Sequence, residues 1–251
     1  MKAISNTIRR ILPLAIILLV IFGLAAILLA RGVIWFNMPS QGRYPVRGVD
    51  VSHYQGTIDW EQLAAQNIQF AFIKATEGSG TEDECFAANW DAARMAGIHV
   101  GAYHFFSFDS LADTQAQNFI HVVPAEEDAL PPVIDLEFYR SEDLPEVSEV
   151  QESLRLMLAL LEKHYGKPPI IYTTDDYYKR YLEGADLTYT LWIRSIFSRP
   201  AGALSDSWRF WQYNPRGLLE GYTGAEKFID LNVYRGSKEE FIREFSLSQG
   251  E

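Results

Sequence analysis

Eight short apolar segments alternate with helical patterns along most of the chain, and this alternation limits the possible folds more than any other feature. Each segment is rich in β-branched or aromatic residues, which is typical of strands. Helical patterns separate the first five segments, and they fade between the last three. The segments are 47–52, 70–78, 99–106, 131–137, 169–174, 190–196, 208–214 and 228–234.

Strands that alternate with helices form parallel sheets, because a crossover helix returns the chain to the edge where the previous strand began. Eight strands within about 190 residues predict an α/β fold, an irregular TIM-like (β/α) barrel of about eight strands with helices missing in its C-terminal part. An open doubly wound sheet is the structural alternative. The usual nucleotide-binding signatures of that alternative, a G-x-G-x-x-G after the first strand or a P-loop, are absent.

A different kind of segment precedes the first strand. Residues 11–30 form a run of 20 residues without a charge, enough for a helix to cross a ~30 Å hydrocarbon core. The run is longer than the ~7–15 apolar residues of a usual secretory signal, and Leu28 stands where signal cleavage after Ala30 would need a small residue. We therefore expect one N-terminal transmembrane helix that stays uncleaved, with a cleaved signal as the alternative.

Three regions follow from this division. We expect a membrane anchor over 1–32, a tether rich in Pro, Ser, Gly and interfacial aromatics over 33–45, and a globular domain over 46–246. Basic residues lie on both sides of the apolar run, so they orient it only weakly. The free amino terminus favours a single-pass protein in the cell membrane with its globular domain on the extracytoplasmic side.

Composition excludes several classes of site. A net charge of −11 gives no general attraction to nucleic acid, whose binding relies on Lys and Arg. The single cysteine, Cys85, permits neither an internal disulfide nor a cysteine-based zinc site. Two of the five histidines, His121 and His164, fall in predicted helices, and no H-x-H spacing occurs. We expect a monomer that needs no metal and no cofactor.

Acidic residues end several of the predicted strands. Asp135 and Glu137 close the segment "PPVIDLE" and share a face, about 6.6 Å apart, because alternate side chains of a strand point the same way. Asp50, Glu77 and Asp230 stand at the ends of other segments. Each acid alone could simply cap a loop or a helix. In a parallel barrel, however, the C-terminal strand ends meet at the mouth where active sites lie, so these acids are predicted to converge there.

Converging carboxyl groups suit one type of chemistry. Crowding and burial raise the pKa of some of them, so a protonated acid can lie beside an ionised carboxylate. Such a pair is the apparatus of glycoside hydrolysis. Aromatic residues at the same strand ends either pack in the core or provide surfaces on which sugar rings stack. They are Tyr103, Phe105, Tyr172, Trp192, Trp211 and Tyr213.

Six segments in this order resemble the glycoside hydrolase family 25 lysozymes, also called Chalaropsis-type muramidases. The resemblance extends from about Val46 to Arg235, and six collinear motifs make it far more specific than any one of them. The motifs are "RGVDVSHYQGTIDW", "FAFIKATEG", "GAYHFF", "PPVIDLE", "WQY" and "FIDLNVY".

The resemblance implies a barrel of five β/α units with a β-rich closure. It also implies cleavage, with net retention, of the β-1,4 bond between N-acetylmuramic acid and N-acetylglucosamine in peptidoglycan. By this resemblance Glu137 is the general acid, Asp135 its acidic neighbour, and Asp50 and Asp230 further active-site acids. The resemblance and the aromatic pattern together indicate six substrate-binding residues, Lys74, Glu77, Tyr103, Tyr172, Trp211 and Gln212.

The sequence departs from the family pattern at Tyr54, where a second histidine is frequent, and at Arg194, where a small residue is usual. Neither departure touches the four acids. Two other functions stay open, a membrane-tethered barrel that binds glycan without cutting it, and a metal-dependent glycan deacetylase. The route is open as well, because either an enzyme carboxylate or the N-acetyl group of the substrate could attack the sugar.

Overall fold

A long apolar helix forms the first of two compact units, 1–36 and 37–251. The structure is a computed structural model that describes residues 2–137 and 144–247, with the side chains of residues 11–137, 144–202 and 204–247. Helix α1 (Lys2–Ala30) contains the uncharged run Ile11–Ala30, which is long and apolar enough to cross a membrane and is not buried within the protein. A signal sequence near the N-terminus can meet the same criteria of length and apolarity.

In the second unit, and within the described residues, eight strands close into a barrel. Going round the barrel, the order is β1, β2, β4, β5, β6, β7, β8, β9 and again β1, while the two-residue β3 pairs with β2 at the rim. The expectation of eight barrel strands is confirmed. The strands are β1 (Arg47–Val51), β2 (Phe70–Glu77), β3 (Thr81–Glu82), β4 (His99–Phe105), β5 (Val133–Leu136), β6 (Ile170–Thr174), β7 (Thr190–Arg194), β8 (Trp208–Gly217) and β9 (Ile229–Tyr234).

The direction of the last strand differs from the expectation. Neighbouring barrel strands are parallel from β1 round to β8, but β9 is antiparallel to both β8 and β1. Residues 218–228, all of them described, connect β8 to β9 without a helix. A connection this short returns the chain as a hairpin, because a parallel crossover needs a dozen or more residues. The beginning of β9 therefore lies at the barrel end where the other strands finish.

Helices cover the first half of the barrel more completely than the second. The helix Val147–Tyr165 is followed by Gly166, which has a φ of 69° and thus the left-handed conformation that glycine adopts without a steric cost. Gly97, with a φ of 76°, follows the end of the helix Phe86–Met95 in the same way. The helices are α2 (Trp60–Ala65), α3 (Phe86–Met95), α4 (Ala112–Val122), α5 (Val147–Tyr165), α6 (Asp175–Tyr177) with a π-helical turn (Tyr178–Leu182), and α7 (Lys238–Phe245).

Two apolar layers lie on the two faces of the barrel wall. Phe70 and Phe72 of β2 point into the barrel. Ala71 and Ile73, which alternate with them along the strand, pack against the surrounding helices. Phe241 of α7 joins the inner layer and packs against Phe70. The barrel is therefore filled with apolar side chains at the end where its parallel strands begin, and polar residues can enter only towards the other end.

The second unit begins before the predicted domain boundary. Tyr44 is 5% exposed, and its ring packs against Trp208 and Trp211 of β8. An aromatic side chain gains several times the burial energy of a small polar one, which is why this residue packs against the barrel. The later part of the segment 33–45, expected to be a tether, thus belongs to the barrel unit.

Candidate active site

An open cavity of about 870 Å³ lies at the barrel end where the parallel strands finish. All four predicted catalytic acids line it, Asp50 from β1, Asp135 from β5, Glu137 immediately after β5, and Asp230 from β9. Because the rest of the barrel interior is apolar, the acids form the floor of a pocket with a single polar end. This location is the one in which barrels of parallel strands carry their active sites.

Asp230 reaches the mouth for a different reason from the one expected. It is the second residue of β9, not the last, and it comes to the mouth because β9 runs in the opposite direction. Asp50 and Asp230 are direct antiparallel partners. Side chains so paired have Cβ atoms about 4.5–5.5 Å apart, so the two carboxyl groups are close neighbours.

Asp50 is surrounded by amide donors. Gln212 Nε2 donates to both of its carboxylate oxygens, at 3.0 and 3.1 Å, and Asn232 Nδ2 donates to Oδ1 at 2.6 Å. Burial raises the pKa of Asp50 to about 6, and these hydrogen bonds oppose a larger rise. Asp50 is therefore mostly ionised at neutral pH.

The other three acids hold their protons more tightly than isolated carboxyl groups do. Burial, and then the neighbouring Glu137, raise the pKa of Asp135 well above its ordinary value, and Asp135 Oδ1 has no hydrogen-bond partner among the described residues. Burial, and then Asp50, raise the pKa of Asp230 well above its ordinary value. Burial also raises the pKa of Glu137, although the nearby Arg194 opposes this. The cavity thus combines Asp50, a carboxyl group held by amide donors, with neighbouring acids whose pKa values burial raises.

An Asp230→Asn variant is expected to be more stable than the wild type at high pH. The raised pKa means that the folded protein holds this proton while the unfolded chain, with an ordinary value of 3.8, releases it. The wild type therefore loses stability as pH rises above about 4, and the neutral asparagine does not. We expect no gain in Tm at pH 3.5 and a gain of about 2–6 °C at pH 8.

Thermal unfolding of both proteins across pH 3.5–8 measures this difference. Asp206→Asn is the control, because Asp206 is exposed and its hydrogen bond from Arg235 lowers its pKa. That variant should gain no stability at pH 8. A Tm difference for Asp230→Asn that stays constant with pH would contradict the assignment of a raised pKa to this group.

Four of the six predicted substrate-binding residues line the cavity, namely Lys74, Tyr103, Tyr172 and Gln212. Glu77 does not line it, and instead its Oε2 accepts a hydrogen bond from Lys74 Nζ at 2.7 Å. The role of Glu77 is therefore to hold Lys74. Gln212, for its part, is occupied with Asp50, so it supports the floor of the cavity.

Trp211, which was predicted to bind substrate, does not line the cavity. It is 1% exposed, its ring packs against Trp208 and Tyr213, and its Nε1 donates to the carbonyl oxygen of Ser195 at 2.9 Å. The physical reason is strand alternation. Because Gln212 points into the barrel, its neighbour Trp211 must point out of it.

Several residues that the sequence did not single out also form the site. Asn232 lies two residues after Asp230 and therefore on the same face of β9, a relation that the period-two pattern could have revealed. Trp192, expected only as a strand-end aromatic, and Arg194, expected only as a departure from a family pattern, line the cavity from β7. The remaining rim includes Ser52, Tyr54, Phe105, Arg216, Glu226 and Phe228.

Across residues 2–137 and 144–247, no group of three or more His, Cys, Asp or Glu side chains is arranged to hold a metal ion. The acids are instead spread over β1, β5 and β9 and divide into protonated and ionised forms.

An ionised carboxylate and protonated acids at the floor of one open cavity, with aromatic walls, define a site of the glycoside hydrolase class. The sequence model of Glycosyl hydrolases family 25 matches residues 49–222. The chain belongs to this family and is a glycoside hydrolase.

Individual relatives agree with the family. A family 25 glycosyl hydrolase from Bacillus anthracis is similar in structure, with a TM-score of 0.77, 48% identity, and coverage of 84% of this chain and 97% of the other. The protein YegX of Escherichia coli K12, described as uncharacterized, is 36% identical over 202 residues, 78% of this chain and 72% of the relative. Lysozyme M1 of Streptomyces globisporus is 31% identical over 206 residues, 76% of this chain and 68% of the relative.

Proposed function

We propose that the protein is a peptidoglycan hydrolase, an N-acetylmuramidase that cleaves the β-1,4 bond between N-acetylmuramic acid and N-acetylglucosamine. The catalytic domain occupies 46–246, and its barrel is a reduced TIM-like (β/α) barrel in which short connections replace the last helices. One observation carries the proposal, the convergence of four carboxyl groups from β1, β5 and β9 on one open cavity at the barrel mouth. The name of the Streptomyces relative, a lysozyme, supports the choice of substrate.

In this proposal Glu137 donates its proton to the glycosidic oxygen as the bond to the leaving sugar breaks. Burial raises the pKa of Glu137 above its ordinary value, which favours the protonated form that a general acid needs. Positive charge develops at C1 of the muramic acid, and the ionised Asp50 stabilises it. The face of C1 opposite the leaving sugar is taken by either the Asp50 carboxylate or the N-acetyl oxygen of the substrate. In the second half of the reaction the Glu137 carboxylate takes a proton from water, whose oxygen bonds to C1 as the bond from C1 to that group breaks, so the anomeric configuration is retained overall.

Peptidoglycan lies outside the cell membrane, and this location suggests a role for the first unit, which contains α1. We propose that α1 anchors the protein in the cell membrane in a single pass and that the catalytic domain acts on the extracytoplasmic side. The 20 apolar residues of Ile11–Ala30 support this proposal by their length. Sequencing the amino terminus of the membrane-bound protein separates an anchor, which retains residues 11–30, from a cleaved signal, which loses them.

Analysis of digestion products tests the proposed function. The full chain in detergent is incubated with purified peptidoglycan, and the products are reduced with borohydride and identified by mass spectrometry. A muramidase leaves reduced muramic acid at the new chain ends. Reduced N-acetylglucosamine at those ends would contradict the proposal, as would the loss of acetyl groups without chain cleavage.

Two controls separate the alternatives. A deacetylase that needs a metal would lose activity in EDTA, whereas the proposed reaction draws on carboxyl groups and should proceed at an unchanged rate. A barrel that only binds glycan would sediment with peptidoglycan and release no soluble fragments. Either result would replace the muramidase assignment.

A further inference from the structure

A continuous chain of buried hydrogen bonds runs across the floor of the cavity. Trp192 Nε1 donates to Asn232 Oδ1 at 2.9 Å, and Asn232 Nδ2 donates to Asp50 Oδ1 at 2.6 Å. From the other side, the Tyr172 hydroxyl donates to Gln212 Oε1 at 3.0 Å, and Gln212 Nε2 donates to both oxygens of Asp50. The four residues that surround Asp50 are each at most 5% exposed, so water does not compete for these groups.

The chemistry of the donors fixes the direction of this chain. An indole N–H can only donate, so the amide oxygen of Asn232 must face Trp192 and its NH₂ group must face Asp50. Gln212 is oriented by Asp50, because a carboxylate accepts and the Gln212 NH₂ group must therefore face it, and the Tyr172 hydroxyl then donates to the Gln212 oxygen. Neither amide can flip without placing two donors or two acceptors against each other. Asp50 is therefore presented with N–H groups alone, which favour its ionised form.

Tyr172 also approaches the second catalytic acid. Its hydroxyl lies within hydrogen-bonding reach of the Glu137 carboxyl group; burial raises the pKa of Glu137, and this contact lowers it. The chain of hydrogen bonds therefore favours the ionised form of Asp50, and a proton on Glu137 is favoured by burial instead.

We propose that Trp192 and Asn232 are positioning residues whose hydrogen bonds, together with those of Tyr172 and Gln212, keep Asp50 an ionised carboxylate. The inference rests on the proposed function for its meaning in catalysis. It explains why Asp50, and not Asp230 or Asp135, is the ionised carboxylate. Asp230 lies directly opposite Asp50, and Asp135 lines the same cavity, yet the described residues offer neither of them such a set of donors.

Packing makes the indole a rigid starting point for the chain. The Trp192 ring stacks on Phe72, with centroids 4.4 Å apart and planes at 28°, and contacts the Tyr172 ring at 4.4 Å. Both neighbours belong to the apolar filling of the barrel. A donor held by close-packed rings keeps its direction when substrate enters, as a preorganised site requires.

Several other charged or titratable groups face Asp50 and must be kept constant in any test of its ionisation. They are Lys74 from β2, Tyr103 from β4, Asp135 and Glu137 at β5, Tyr172 from β6, Arg194 from β7 and Asp230 from β9. The test therefore changes uncharged members of the chain only.

Replacing Asn232 with leucine removes the donor to Asp50 with little change in size. We expect the half-protonation point of Asp50 to move up by about one to two pH units, the effect of losing one hydrogen bond to a charged group. Relative to wild type, peptidoglycan hydrolysis should then fall about tenfold at pH 6 and recover to within about threefold at pH 8. Trp192→Phe, which keeps a ring but frees the asparagine amide, should shift the same limb by less.

Thr173→Val is the matched control. Thr173 is equally buried in the barrel wall, and its hydroxyl donates to the Leu136 carbonyl oxygen outside the chain that holds Asp50. This variant should lose stability without shifting the acidic limb of the pH profile. If Asn232→Leu lowers activity by the same factor at every pH, its role is structural and the inference is overturned.

A measurement that needs no activity keeps the two proposals apart. The carboxyl ¹³C resonance of Asp50, assigned in the full chain in detergent by its absence from Asp50→Asn, is titrated in wild type and in Asn232→Leu. An upward shift of the midpoint supports the inference, and coincident titrations refute it. Failure of the wild type to release muramic acid ends would instead refute the proposed function and leave this titration decisive.

Discussion

Glu137→Gln is expected to lower kcat/KM for peptidoglycan by about 10²–10⁴-fold, the usual contribution of a positioned general acid. Glutamine matches the shape of the protonated glutamic acid but has no proton to give to the departing oxygen. The fold should be undisturbed, because burial of the Glu137 charge is unfavourable in the wild type, as its raised pKa shows. Release of new reducing ends from purified peptidoglycan measures the loss.

A substrate whose leaving group needs no proton tests the role of Glu137 as the acid more directly. An aryl glycoside whose phenol leaves without protonation should be cleaved by Glu137→Gln with a much smaller loss than peptidoglycan. Glu61→Gln is the control, since Glu61 is an exposed residue of α2 that does not line the cavity. We expect it to keep activity within about threefold of wild type, in the range of ordinary surface changes. Equal losses on both substrates would remove Glu137 from the role of acid.

The strands of the barrel could be predicted from the sequence because each has a local pattern of β-branched and aromatic residues. The direction of β9 could not. It depends on the helix-free connection 218–228, and a weak helical pattern does not distinguish a short crossover from a hairpin. The prediction that Asp230 lies at the mouth nevertheless agrees with the structure. Asp230 stands at the start of β9 and not at its end, but β9 also runs in the opposite direction, so its start lies at the mouth.

Within the site, the sequence predicts those residues whose spacing along a strand is enough to decide which face of the strand their side chains occupy. Asp135 and Glu137 share a face by their separation of two, and both line the cavity. Trp211 and Gln212 are adjacent, so only one could face inward. Both faces of β8 are buried, and a strand buried on both sides loses the alternation that would have chosen between them. The amide of Asn232 was missed because its function depends on a partner, Trp192, forty residues away.

Asp50→Asn is expected to lower kcat by about 10²–10³-fold with little effect on KM, as when an electrostatic stabiliser of the transition state is lost. Asparagine is neutral, and its own NH₂ group would oppose the amide donors of Gln212 and Asn232. Asp230→Asn is the informative comparison, because its raised pKa keeps Asp230 protonated under conditions in which Asp50 is ionised. It should lose less activity than Asp50→Asn, and the reverse order would exchange the roles of the two acids.

Rescue with azide distinguishes whether the ionised Asp50 attacks C1 directly or the N-acetyl group of the substrate does so. In an Asp50→Gly variant a cavity replaces the carboxylate, and azide is small enough to enter it. If Asp50 attacks C1 directly, azide should restore cleavage and yield a glycosyl azide of inverted anomeric configuration, because it approaches from the face that the carboxylate occupied. If the N-acetyl group of the substrate attacks instead, that face is already taken, and azide should neither restore the rate nor enter the product. Nuclear magnetic resonance of the products distinguishes the two routes, and a glycosyl azide of retained configuration would contradict both assignments of Asp50.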